Sequence, residues 1–195
     1  MIVAGLSELF LLLALGFAFY TNRHLHQNHL VDIALFITAC AAVMGLIRYL
    51  ELADTQPIHQ GLSFVAKHGA MPGFLLGLLW STFKRAIIAY ALLSIVVINI
   101  VINSINPIPM CTDILIVGLS LYLIHELRGD RRPFYCGIIG LALLLSTLIW
   151  GVIITDKSLS IGAFHLCLSG FFVFISFAAK GLAPLTATPQ TTIGT

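Results

Sequence analysis

The sequence predicts an all-α, polytopic membrane bundle of seven transmembrane helices, with its N-terminus outside and its C-terminus inside. Three observations predict it. Of 195 residues, 59% are hydrophobic and only 9% charged, where a soluble domain carries about 25% charged. The apolar residues fall into seven runs, each near the ~20 residues needed to cross a bilayer core. The lysines and arginines collect on one side of those runs, which orients them.

The spans are expected at 3–21, 30–50, 59–83, 86–105, 110–127, 134–154 and 160–181. The first, "MIVAGLSELFLLLALGFAFY", has no basic leading segment and carries Glu8 early. Its run also exceeds a signal-peptide core, so it reads as a retained span. "NRHLHQNH" ends it, and "ELADTQP" ends the second. Lys84–Arg85 splits the third from the fourth. "NPIP" at Asn106–Pro109 and "RGDRRP" at Arg128–Pro133 bound the fifth, and "TDKS" at Thr155–Ser158 precedes the seventh. Residues 1–182 form the transmembrane domain. Residues 183–195, rich in Pro and Thr without periodicity, are expected to be a disordered tail.

With seven spans, the side shared with the C-terminus holds Arg23, Lys84, Arg85, Arg128, Arg131, Arg132 and Lys180. The other holds Arg48 and Lys157. Cytoplasmic loops retain basic residues, so this bias places the C-terminus inside. A plasma membrane or bacterial inner membrane is the expected location. A net charge of +2, with no basic stripe, excludes nucleic acid as a partner. Membrane lipids, and a membrane-protein partner or a second copy, are the expected partners. Cys40, Cys111, Cys136 and Cys167 form no CxxC pair, so neither a disulfide framework nor a cysteine zinc site is expected.

Depth follows from the helical rise of 1.5 Å per residue. Lys67 and His68, in "KHGAMPG", stand roughly 12–14 Å below the outer end of span 3, near the midplane. Glu8 and His165 enter from the same side, with Ser169 one turn below His165 on one face. Arg48 and Glu51 close span 2 at i,i+3 spacing, suited to a local ion pair. Asn99 and Asn103, then Asp113, lie at the outer ends of spans 4 and 5. Charges in lipid cost about 2.5–3.5 kcal/mol each by insertion scales, so these groups should turn inward and pair. Glu8 with Lys67 or Arg48 is the expected pairing. The candidate pocket residues are Glu8, Arg48, Glu51, Lys67, His68, Asn103, Asp113, His165 and Ser169. The competing expectation is that they neutralise one another and rivet the bundle.

Pro72 has no N–H to offer the carbonyl of His68, so a kink and a freed carbonyl are expected at pocket depth. Gly69, Gly73 and Gly77 recur every four residues and predict close approach of a neighbouring helix. His24, His26 and His29 read as solvated loop residues. "HEL" at His125–Leu127 is not a zincin motif, because Gly129 stands where the second histidine belongs. Tyr20, Tyr49, Tyr122, Tyr135, Trp80 and Trp150 read as interfacial belt residues.

The arrangement resembles the seven-helix superfamily of alkaline ceramidases and adiponectin-receptor-like proteins. The likeness lies in topology and in Glu8, Asp54, His165 and Ser169, in "GLIRYLELAD" and "HLCLS". The resemblance implies zinc and hydrolysis of a lipid-like amide or ester. Here Arg48 stands where the late span 2 histidine would be, and Ser169 replaces the second histidine of span 7. His68 and His165, with His59 at the outer start of span 3, are the histidines that would have to hold a metal, and no metal or other cofactor is expected. Three functions follow in order: binding or moving a small polar or lipid-headgroup ligand, a non-catalytic accessory or scaffold subunit, and a divergent ceramidase-like hydrolase.

Overall fold

The computed structural model describes residues 2–23, 29–83, 86–105 and 109–182. The loop histidines His24 and His26, the Lys84–Arg85 turn, most of the "NPIP" turn and the tail expected at 183–195 lie outside these residues. The described chain is all-helical. In order come α1 (Ile2–Thr21), α2 (His29–Tyr49), α3 (Gln56–Leu79), α4 (Ala86–Ile105), α5 (Pro109–Glu126), α6 (Arg131–Ile153) and α7 (Lys157–Ala179).

The punctuation read from sequence works as local chemistry. The Asp130 carboxylate accepts from the Arg132 N–H at 3.2 Å and starts α6. Asp156 accepts from the Leu159 N–H at 2.8 Å and starts α7. Each satisfies one of the donors that a helix start leaves without an intrahelical partner. Pro57 sits in the first turn of α3, where its missing N–H costs nothing.

Among the described residues, six helices are long and apolar enough to cross a membrane. The helix left out, α5, carries Asp113 in its first turns and ends on His125 and Glu126. Its 18 residues are the shortest of the seven helices. The surface is inverted relative to a soluble protein. On α1, Leu6, Phe10 and Leu13 are more than half exposed, while Glu8 is 1% exposed. Ile87 and Ile105 on α4 are likewise bare. A water-facing surface rarely shows contiguous apolar patches of that extent, and it suits hydrocarbon.

Six of the helices close a ring. α7 packs on α6 and α1, α1 on α2, α2 on α3, α3 on α5, and α5 on α6. α4 stands outside and leans mainly on α3. In lipid no hydrophobic force drives helices together, so contact quality decides the packing. One half of the ring is filled. Phe74, Leu75, Leu78, Phe171, Phe172 and Ile175 are all at most 1% exposed, and the Phe74 and Phe172 rings meet at 5.2 Å. These residues come from the later parts of α3 and α7.

Pro72 does not produce a simple kink. The backbone widens into a π-turn over Ala66–Ala70, and the Met71 N–H reaches back five residues to the Ala66 carbonyl. A π-turn is another way to accommodate a break in the i to i−4 ladder. It also corrects the expectation for the glycine row. A Cβ on Gly69 would stand 2.7 Å from Ile100 Cδ1 of α4, whereas one on Gly77 would stand 3.1 Å from the Val31 backbone nitrogen of α2. Gly73 has open space. The widened turn disturbs the four-residue phase, so the glycines serve two neighbours instead of one.

Candidate functional site

The half of the ring that is not filled encloses a cavity of about 400 Å³. Its lining comes from the early parts of α1, α3, α5 and α7 and the later parts of α2 and α6. Glu8, His59, Lys67, Asp113 and His165 are its ionisable residues, with Thr38, Ser63 and Thr147. The rest is apolar, including Leu11, Met71, Ile116, Leu148, Phe164 and Leu168. The packed phenylalanine layer closes the bundle in the other half.

At the protein-enclosed side of the cavity, Glu8 Oε1 lies 3.5 Å from His165 Nε2. That exceeds the usual hydrogen-bond range of about 2.7–3.2 Å, and Glu8 Oε1 is buried without any hydrogen-bond partner. The orientation of His165 is fixed from behind. Ser7 Oγ donates its only hydrogen to the Ala4 carbonyl at 2.7 Å. The His165 Nδ1 found 3.1 Å from Ser7 Oγ must therefore be the donor of that pair. In the neutral ring Nε2 is left with a lone pair, facing Glu8. His59 obeys the same logic. Its Nδ1 lies 3.1 Å from the Ala41 carbonyl, which can only accept, so its Nε2 is an acceptor too. Tyr49 holds the His59 ring edge-on at 5.8 Å.

Gly45 of α2 creates the space in which these groups meet. A Cβ there would fall on Glu8 Oε1 and stand 2.7 Å from Glu8 Cδ and 2.9 Å from His59 Cε1. Sequence reading missed Gly45, because a lone glycine in an apolar run carries no signal beyond helix weakening. It also missed Ser7, whose only flag was adjacency to Glu8.

The expected pairing of Lys67 with Glu8 is wrong. Lys67 Nζ lies 3.3 Å from Asp113, and both side chains are partly exposed, 46% and 29%. Arg48 does not pair with Glu8 either; its guanidinium lies over the Tyr49 ring at 5.4 Å, and it does not line the cavity. Glu51 stands exposed in the turn after α2 with φ 58°. The expected pairings did not allow for the direction each of these residues faces around its helix. Lys67→Met and Asp113→Asn are each expected to change stability by no more than about 1 kcal/mol, the range of solvated pairs. Thermal unfolding in detergent measures this, and a drop several times larger would mean a dry, strongly coupled pair.

His68 belongs to a separate network. Thr112 Oγ1 donates to Asn99 Oδ1 at 3.1 Å, so it accepts from His68 Nδ1 at 2.6 Å. Asn99 Nδ2 donates to the His68 carbonyl at 2.9 Å. That is the carbonyl expected to be freed by Pro72. Asn103 Nδ2 donates to the Asn99 carbonyl at 2.9 Å and side-chain oxygen at 3.1 Å. Neither His68 nor Asn103 lines the cavity. Ser169 is also away from it, its hydroxyl spent on the His165 carbonyl at 2.7 Å.

The order Ser7, His165, Glu8 imitates a hydrolytic triad, but the hydroxyl is in the wrong place. Ser7 is buried, committed to its own helix and absent from the cavity wall. Arg48 and Ser169, which the resemblance sets at histidine positions, do not line the cavity. Among the described residues, no group of three or more His, Cys, Asp or Glu is placed to hold a metal ion. No family model, curated protein or solved structure matches this chain.

Proposed function

We propose that the chain is an integral membrane protein of seven spans, N-terminus outside, that binds a small amphipathic ligand in a cavity open to the outer face. The observation that carries this is Glu8. It is 1% exposed, its Oε1 has no hydrogen-bond partner, and it faces a cavity whose walls are mostly apolar. An intramembrane carboxylate is costly to keep and is functional by default. About 400 Å³ lies in the range of small-molecule sites, roughly 300–1,000 Å³.

A scaffold subunit would use its buried polar groups as partners for one another. The His68, Asn99, Asn103 and Thr112 network does so. Glu8 does not, and this difference favours binding over scaffolding. The outward opening rests on the basic residues. Arg23, Arg128, Arg131, Arg132 and Lys180 lie at the filled end of the ring, which the charge rule places in the cytoplasm.

The test is accessibility in intact cells, with the four native cysteines replaced. A cysteine at Ser63 or Thr147 should react with a membrane-impermeant thiol reagent added outside, and a short-chain amphiphile should slow that reaction. A cysteine at Arg131 should react only after permeabilisation. Labelling of Arg131 but not Ser63 or Thr147 from outside would reverse the orientation. Equal rates with and without amphiphile at both cavity positions would remove the binding reading.

A further inference from the structure

The side-chain donors of Ser7, His165 and His59 are already used. Ser7 gives its proton to Ala4, His165 gives Nδ1–H to Ser7, and His59 gives Nδ1–H to Ala41. What remains is one carboxyl oxygen and one imidazole nitrogen on each histidine; Gly45 leaves room for Glu8 and His59, and all three residues line the apolar cavity. The 3.5 Å gap between Glu8 and His165 leaves a carboxyl oxygen and an imidazole nitrogen face to face, the oxygen without a hydrogen-bond partner.

We infer that this end of the cavity receives a primary ammonium group carried on an apolar body. The inference rests on the binding function proposed above and names its ligand class. A primary ammonium brings N–H donors for the Glu8 oxygen and the His165 nitrogen, and its positive charge favours the ionised form of the Glu8 carboxyl. A carboxylate or phosphate ligand would meet only acceptors there. A quaternary ammonium carries the charge without the donors. A bare metal ion would leave the apolar part of the cavity empty, and no three ligands stand at metal spacing among the described residues. The apolar walls at Leu11, Phe164 and Leu168 suit an alkyl chain.

The experiment uses the full chain in phosphatidylcholine nanodiscs, with four probes of one chain length: dodecylamine, dodecyltrimethylammonium, dodecanol and dodecanoate. Saturable binding is read by displacement of a photoreactive alkylamine. Dodecylamine should bind about 10- to 100-fold more tightly than the other three, the range of one to two charge-assisted hydrogen bonds. Glu8→Gln should reduce that preference to within a few-fold. Repeating the measurement in phosphatidylethanolamine nanodiscs separates two sources of the same group. Weaker dodecylamine binding there assigns the site to an aminophospholipid headgroup, and unchanged binding assigns it to a free amine; both support the inference.

Equal binding by dodecylamine and dodecyltrimethylammonium would overturn the donor match. Equal or tighter binding by dodecanoate would overturn the ligand class, and so would stoichiometric zinc or manganese lost on Glu8→Gln. The probe series on the unmodified chain decides even if Glu8→Gln does not fold. Saturation by none of the four probes would count against the binding function itself. Saturation without headgroup preference would sink only this inference.

Discussion

Asn99→Leu is expected to be the most damaging single substitution in the bundle, lowering stability by about 2–4 kcal/mol. It removes the donor to the His68 carbonyl and the acceptor for the Thr112 hydroxyl in one step. Buried hydrogen bonds in membrane proteins are often worth only about 0.6 kcal/mol, because the alternatives in the bundle also find partners. The His68 carbonyl lacks that alternative, since Pro72 has no N–H to offer it. The measurement is a thermal or denaturant unfolding cycle with Pro72→Ala. An N–H at position 72 can reach the His68 carbonyl four residues back. Pro72→Ala should therefore restore about 1 kcal/mol or more in the Asn99→Leu background and little in the wild type. An equal effect of Pro72→Ala in both backgrounds would mean that Asn99 does not stand in for the missing donor.

Gly45→Ala should have the largest effect on binding. Helix propensity alone predicts a gain of about 1 kcal/mol from replacing a mid-helix glycine by alanine. The added methyl would fall on Glu8 Oε1 and press on His59 Cε1. A glutamate side chain can swing away, so the bundle should still fold, but the carboxylate leaves its place opposite His165. Alkylamine affinity in nanodiscs is expected to fall roughly tenfold or more, as when a charge-assisted hydrogen bond is lost. Unfolding should remain cooperative. Unchanged affinity with a raised midpoint would show that Gly45 does no more than weaken α2, and that Glu8 is not held where ligand meets it.

Much of the chain was legible from sequence. All seven helices lie within a few residues of the expected runs, because length and apolarity of each run fix where backbone groups must bond to themselves. Asp130 and Asp156 announce the starts of α6 and α7 as caps. Pro72 announces a carbonyl in need of a donor, and Asn99 is that donor. Glu8, Lys67, Asp113 and His165 line one cavity.

Which groups meet was not legible. Glu8 faces His165, and Lys67 faces Asp113, although depth alone made Glu8 and Lys67 equally good partners. His59 joins the site while Arg48, Glu51, His68, Asn103 and Ser169 stay out of it. The reason is rotational. A helix apolar on all sides has no polar face to fix which way it turns, and in lipid no aqueous surface orients it. That rotation is settled by contacts between helices, such as Gly77 against Val31 and Gly45 against Glu8 and His59. In α3 the π-turn shifts it again, halfway along the helix. The sequence by itself determined the helices and, within a few residues, their ends. Only the packed ring decided the direction each group faces, because side-chain fit between helices sets the rotation of a span.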